Sequence, residues 1–361
     1  MAAGPENSSA GNLAVADEIS PALTAIRNNC QISDARHATD YTLCVYLLKM
    51  REYFRWENDL PFSAALPNRD LTDWLSARES LWKSLEGNPF VPVPVDGRQY
   101  NPFDAALINQ HLTGAGYVYS SGIGRNMKPH FFLGKLEERR KYNGYILYIS
   151  GKGLARDLTA PPAMSRGNTI FIRRESLRRM LWEKIEEWRW NKPANAMQKA
   201  IACYDFDSAP DQALDQMADA EIRSAMLHEI GEVMAGDHLG EGWEDMLATI
   251  PHSKAELMVR AVRDHLADAL STLPGLIEDL NPATLHFYVA NLTSMRKSLF
   301  PEFISAYEIW DSTGDSGALL ETAQAGHKHW LGLAYGIMSL YNTTNMDLEN
   351  EIISLVDANT L

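Results

Sequence analysis

At 361 residues the chain can build one large hydrophobic core or two ordinary ones, and the length favours two. A hydrophobic share of 45% beside 22% charged residues excludes general disorder, and a net charge of −14 excludes a surface that is basic throughout, as a nucleic-acid binder's would be. The charge is uneven. From Ser121 to Lys192 there are 16 Lys+Arg against 7 Asp+Glu, or +9, which leaves −23 for the rest. Either this basic third meets a phosphate-bearing partner, or it docks against the acidic remainder.

No uncharged apolar run reaches the length of about 18 residues needed to span a bilayer. The nearest, His329–Asn342, reads as a buried helix. The start of the chain lacks the basic and apolar regions of a secretory signal, so residues 1–20 read as a disordered polar tail. Three scattered cysteines, Cys30, Cys44 and Cys203, form neither a disulfide framework nor a cysteine zinc cluster, which implies a reducing cytoplasm. Nothing in the composition opposes an oligomer.

Taken in order, residues 20–86 carry helical spacing. One helix is predicted over Ala38–Glu57, with Leu43, Val45, Leu47, Leu48, Tyr53 and Phe54 supplying its apolar positions, and a second over Leu71–Leu85. Asp34, His37 and Asp40 share a face. They form either a ligand row or, the reading taken here, exposed acids near a helix start. The four prolines of Asn88–Phe103 predict a connector. Between about 114 and 174 the pattern changes to short aromatic and β-branched runs, predicting three or four antiparallel strands with a hairpin at Asn143-Gly144. Two glycine-flanked loops, Ser120–Arg125 and Ser150–Arg156, place Arg125, Lys152 and Arg156 beside free backbone N–H groups. They read as ordinary strand turns or as anion cradles.

A helix is predicted over Glu175–Asn191, rich in tryptophan. The polar stretch Asp205–Gln212 then divides an α+β part, 21–206, from a helical bundle, 207–361. In the bundle, helices are predicted over Gln212–Ala235, Trp243–Ile250, Ser253–Leu273, Pro282–Leu299, Pro301–Trp310, Gly317–Asn342 and Met346–Asp357. The fold expected is mainly α, with a small antiparallel β element in its N-terminal half.

The chemistry-bearing residues of the bundle centre on Ser224–His238. On a helix His228 and Glu232 fall nearly opposite the apolar face of Ile222, Met226, Ile230 and Val233. They are flanked there by small residues, Ala220, Ser224, Gly231 and Ala235, a seam that lets another backbone approach. In Gly317–Asn342 a similar seam of Ala318, Thr322, Ala325, Gly332, Gly336 and Ser339 carries His329. On Ser253–Leu273, His265 and Asp268 stand one turn apart. The pattern predicts a divalent metal (zinc, iron or manganese) held between helices by His228, Glu232 and one or more of His265, Asp268 and His329, with Glu229 as general base; or an i, i+4 hydrogen-bonded pair His228–Glu232 on a packed or exposed helix, with His329 a satisfied core histidine; or a small-molecule pocket without metal.

The segment HEIGE followed by His238 resembles the zinc-metallopeptidase pattern HExxH with a distal third ligand. Glu232 stands where the second histidine belongs and Gly236 falls one place late, so the resemblance covers His228–His238 alone and implies no peptidase activity. The Glu-x-x-His pairs of di-iron bundles are absent. Two functions are therefore expected: a metal-dependent hydrolase or oxidoreductase, or a non-catalytic binding or assembly protein. The second would use the basic segment 125–189, including Arg173, Arg174, Arg178 and Arg179, against an acidic or phosphate-bearing partner, with nucleic acid disfavoured.

Overall fold

The computed structural model describes residues 19–124, 127–343 and 347–361. Residues 1–18 of the expected tail, Arg125 of the first basic loop and the predicted helix start at Met346 lie outside the described residues. The chain forms two compact units, one ending at Trp182 and the other beginning at Glu183, so this division falls inside the tryptophan-rich helix.

The first unit opens with α1 (Ser20–His37), which carries proline in its first turn and buries Ala22, Ile26 and Cys30 along one stripe. Helices α2 (Leu43–Glu57) and α3 (Asn68–Leu85) follow. Only the second half of α2 is packed: Met50 and Tyr53 are buried with Trp82, whereas Leu43, Val45, Leu47 and Leu48 are exposed. The proline-rich connector contains a hairpin, β1 (Val93–Val95) and β2 (Arg98–Tyr100). Its turn, Asp96-Gly97, has positive φ at both positions, the two-residue geometry that suits twisted strands.

After α4 (Ala105–Leu112) come β3 (Tyr117–Ile123), β4 (Pro129–Tyr142), β5 (Tyr145–Arg156), β6 (Ala163–Arg166) and β7 (Thr169–Arg173), in the order β3-β4-β5-β7-β6. Asn143-Gly144 makes the expected hairpin, and the charged run before it continues β4 up to that turn. The β element is not wholly antiparallel. The β6–β7 hairpin returns β7 between β5 and β6, so β7 pairs parallel to β5. One face of the sheet, with Tyr119, Phe131, Leu133 and Ala155, packs with Ile26, Cys30 and Ile108.

Helix α5 (Arg174–Asn191) spans the division, and the second unit continues with α6 (Ala196–Ala202), α7 (Pro210–Leu239), α8 (Glu241–Thr249) and α9 (Lys254–Ala267). A single π turn, Asp268–Thr272, joins α9 to α10 (Leu273–Asp279). Then follow α11 (Pro282–Asn291), α12 (Ser294–Leu299), α13 (Pro301–Thr313), α14 (Gly317–Thr343) and α15 (Leu348–Asp357). The helix predicted over Pro282–Leu299 is broken at Leu292, because the Thr293 hydroxyl caps a new start by accepting from Arg296 N–H. That break sets Arg296 beside α9. Trp243, Met258, Leu266, Phe303, Trp330 and Ile337 lie in the core of this unit. Among the described residues no helix is long and apolar enough to cross a membrane.

The two small-residue seams do not share one partner. Gly231 lies on the Ala267 carbonyl, so near that a Cβ at 231 would stand 2.2 Å from the oxygen, whereas a Cβ at Gly336 would meet Leu355. Gly231→Ala should therefore push α7 off α9 and destabilise the fold by about 1–3 kcal/mol. Gly332→Ala, with open space at its Cβ, should be neutral or stabilising by up to about 1 kcal/mol. Chemical denaturation of both variants measures the contrast.

Candidate functional site

The C-terminal end of α2 and the neighbouring face of α1 stand beside β5, leaving a cleft of about 360 Å³ lined by Arg27, Gln31, Tyr53, Trp56, Glu57, Asp59, Lys152, Gly153, Leu154 and Arg156. Two of the three residues expected to bind an anion, Lys152 and Arg156, are thus brought together. Between them a Cβ at Gly153 would press on the carboxylate tip of Glu175 at 2.8 Å and on the Phe132 ring at 3.2 Å, and the Gly153 N–H donates to Glu175 at 2.7 Å.

Arg156 forms the floor. It is 2% exposed, and its guanidinium lies 5.2 Å and 5.3 Å from the ring centroids of Tyr53 and Trp56, which are themselves stacked. One Nη donates to the Leu158 carbonyl at 3.4 Å, while Nε has no hydrogen-bond partner among the described residues. Burial, with the nearby charge of Arg179, pushes this guanidinium down to about 10. At the rim, Lys152 meets both Asp59 oxygens at 2.8 Å, Glu57 receives Arg78 and the Trp74 indole N–H, and Arg27 donates to the Leu154 carbonyl at 3.0 Å.

Beneath the floor lies a buried ionic cluster. Asp34, expected to be exposed, is fully buried. It accepts Lys128 at 3.1 Å and the Leu158 N–H at 2.9 Å. Asp157 accepts from His130 at 3.2 Å and from the Thr159 and Ala160 N–H groups at 2.9 Å. Burial pushes Asp34 up to about 6 against the pull of Lys128. For Asp157, burial is overcome by His130, Lys128 and backbone N–H groups, which hold its carboxyl well below the usual range. Lys128 faces both carboxylates, and its own pKa is raised because their pull outweighs its burial. Of the expected row, only His37 and Asp40 pair with each other, at 2.8 Å.

Family models match residues 22–173 and 178–359, as the N-terminal and C-terminal domains of one family of unknown function. The chain belongs to DUF6866. No curated protein and no solved structure matches it.

In the DUF6866 C-terminal domain the expected metal ligands do not converge. His265 is stacked on Trp330, with Nε2 donating to the Arg296 carbonyl at 3.0 Å and Nδ1 accepting from the Arg296 guanidinium at 3.4 Å. Burial and Arg296 push it down to about 3, so the ring is neutral with both nitrogens occupied. His329 donates to the Asn359 carbonyl at 2.8 Å, and Glu232 faces Arg263 at 3.1 Å. Among the described residues no group of three or more His, Cys, Asp or Glu side chains is placed to hold a metal. The role expected for Glu229, activating a metal-bound water, needed that centre.

What the structure does bring together is His228 and Asp268, at 3.4 Å. Asp268, on the π turn, is buried and also accepts from Tyr288 at 2.7 Å and from Arg296. Burial and Arg296, with His228, leave its carboxyl well below the usual range. The half-exposed His228 imidazole shows the reverse effect. Burial opposes its charge, but Asp268, with Glu232 and Glu229, pushes it up to about 9.

The basic segment is spent largely on contacts inside the first unit. Arg173 and Arg179 are buried. The first donates to the Ser120 hydroxyl and the second to the carbonyls of Thr159 and Ala160. A surface formed by all four of Arg173, Arg174, Arg178 and Arg179 is therefore not present. Arg27, Gln31, Tyr53 and Trp56 were missed in the sequence, where the only sign of them is helical spacing, i to i+4 for the first pair and i to i+3 for the second.

Because the folded pKa of His228 lies above the value of about 6.5 for an unfolded chain, its contribution to stability is complete below pH ~6.5 and is lost as pH rises through about 9. Thermal melts of wild type and His228→Gln from pH 6 to 10 should show a gap in Tm that closes over that range. A gap that stays constant would show that the charge of the imidazole does not serve Asp268.

Proposed function

We propose that the N-terminal domain binds a small ligand through an oxyanion, a phosphate or a carboxylate, in the cleft above Arg156. The observation that carries this reading is a guanidinium taken almost wholly out of water without a carboxylate hydrogen-bonded to it, its Nε lacking any partner among the described residues. A buried polar group left without a partner costs about 1–3 kcal/mol, and more when charged. An oxyanion supplies the missing acceptor and adds to the nearby charge of Glu175 and Asp157, and the planar fork of arginine suits it. Lys152 stands at the rim to give a second contact. The volume, about 360 Å³, is that of a small-molecule site. This is narrower than a basic surface for a macromolecular partner, because most of the arginines in that segment are already used within the domain.

Calorimetric titration with inorganic phosphate tests the reading. Wild type should bind, more weakly at high salt. Arg156→Gln should lose about 10- to 100-fold in affinity, the worth of one charge-assisted hydrogen bond. Since Arg156 also packs on Tyr53 and Trp56, the exposed Lys152→Gln serves as a second variant. It should keep the wild-type Tm and lose about fivefold, as expected for a rim charge. Equal phosphate affinity in all three proteins would sink the proposal.

A further inference from the structure

The cleft mixes signs. Arg27, Lys152 and Arg156 face it from α1 and β5, and Glu57 and Asp59 from the end of α2. Glu57 is committed, since Arg78 and Trp74 both donate to it at 2.5 Å. Asp59 is held differently. Among the described residues its carboxylate pairs with Lys152, and the pair is open to water, with the lysine side chain 51% and the aspartate 75% exposed. An exposed pair of this kind contributes little to stability and opens readily. Asp59 also sits at a helix end with φ +54°, a position that glycine takes most often. The aspartate there puts a carboxylate at the rim of the cleft, where glycine would leave none.

Charge accounting then restricts the ligand. A simple oxyanion that reaches Arg156 and recruits Lys152 takes the counter-ion away from Asp59 and leaves that carboxylate facing the bound anion. A ligand carrying its own ammonium removes the conflict, because one internal ion pair is exchanged for two pairs to the ligand. Resting on the oxyanion reading above, we propose that the cleft selects a zwitterion, its oxyanion held by Arg156 and Lys152 and its ammonium by Asp59. Opposed charges on one small site give this kind of discrimination, attracting the matched ligand and repelling the unmatched one.

Two pairs of probes test this on the full chain at pH 7: O-phosphoethanolamine against ethyl phosphate, and β-alanine against propionate. Each pair differs by the ammonium, and comparison between pairs tells phosphate from carboxylate. In wild type the amine-bearing member of the pair that binds should be tighter by about fivefold, the scale of one exposed charge pair. Asp59→Asn, which keeps a residue tolerant of positive φ, should abolish that preference and make the amine-free member bind more tightly than it does to wild type. The zwitterion proposal is overturned if Asp59→Asn leaves the preference unchanged, or if wild type prefers the amine-free member. In either case, affinity that still disappears in Arg156→Gln leaves the oxyanion reading standing. Failure of all four probes to bind wild type overturns both.

Discussion

A charge taken out of water must find an opposite charge or enough hydrogen bonds, because an unpaired ion in a protein interior is among the costliest things a fold can contain. Both units are arranged around that constraint. In the first, Asp34 and Asp157 are buried where α1 meets the sheet, and Lys128, His130 and the N–H groups of 158–160 are gathered to them. In the second, Asp268 is buried at the π turn, and His228, Tyr288 and Arg296 converge on it from three other helices. A buried carboxylate accepting from several elements fixes their mutual positions more narrowly than apolar contact does, since hydrogen bonds require direction as well as proximity.

The π turn and the broken helix 282–299 belong to the same solution. A π turn shifts the residues that follow it around the helix axis relative to an α-helix, and Asp268 opens that turn directly after Ala267, the residue Gly231 approaches. Interruption at Leu292 and the new cap at Thr293 place Arg296 against the same carboxylate. His228 thereby acquires a partner forty residues away, and the imidazole serves as one donor among several in a network that closes on itself.

Arg156 departs from this rule. Its neighbours Tyr53 and Trp56 supply aromatic faces, which favour a guanidinium without neutralising it, and the nearest carboxylates are engaged elsewhere: Glu175 accepts the Gly153 N–H and Asp157 accepts His130 and the backbone. An incompletely hydrogen-bonded buried charge lining a cleft is the observation on which the proposed binding site rests.

Helices, strands and the Asn143-Gly144 hairpin were legible in the sequence because they follow from local periodicity and turn chemistry, as was the close-packing seam at Gly231, whereas Ser150–Arg156, expected to be a glycine-flanked loop, is strand within β5, and most of Ser120–Arg125 is strand within β3. The apolar row from Leu43 to Leu48 misled, since period says which residues share a face but not whether anything covers it. The Asp96-Gly97 hairpin was hidden by the prolines around it. What the sequence by itself determined was element type, the mainly helical class and the presence of histidine and carboxylate rows. Tertiary structure alone decided the partners: that Asp34 meets Lys128, that His265 and His329 meet the backbone carbonyls of Arg296 and Asn359, and that Arg27 and Lys152 line one cleft. The reason is that pairing of charges depends on distances of a few ångströms between residues far apart in the chain, and spacing along the chain does not carry that information.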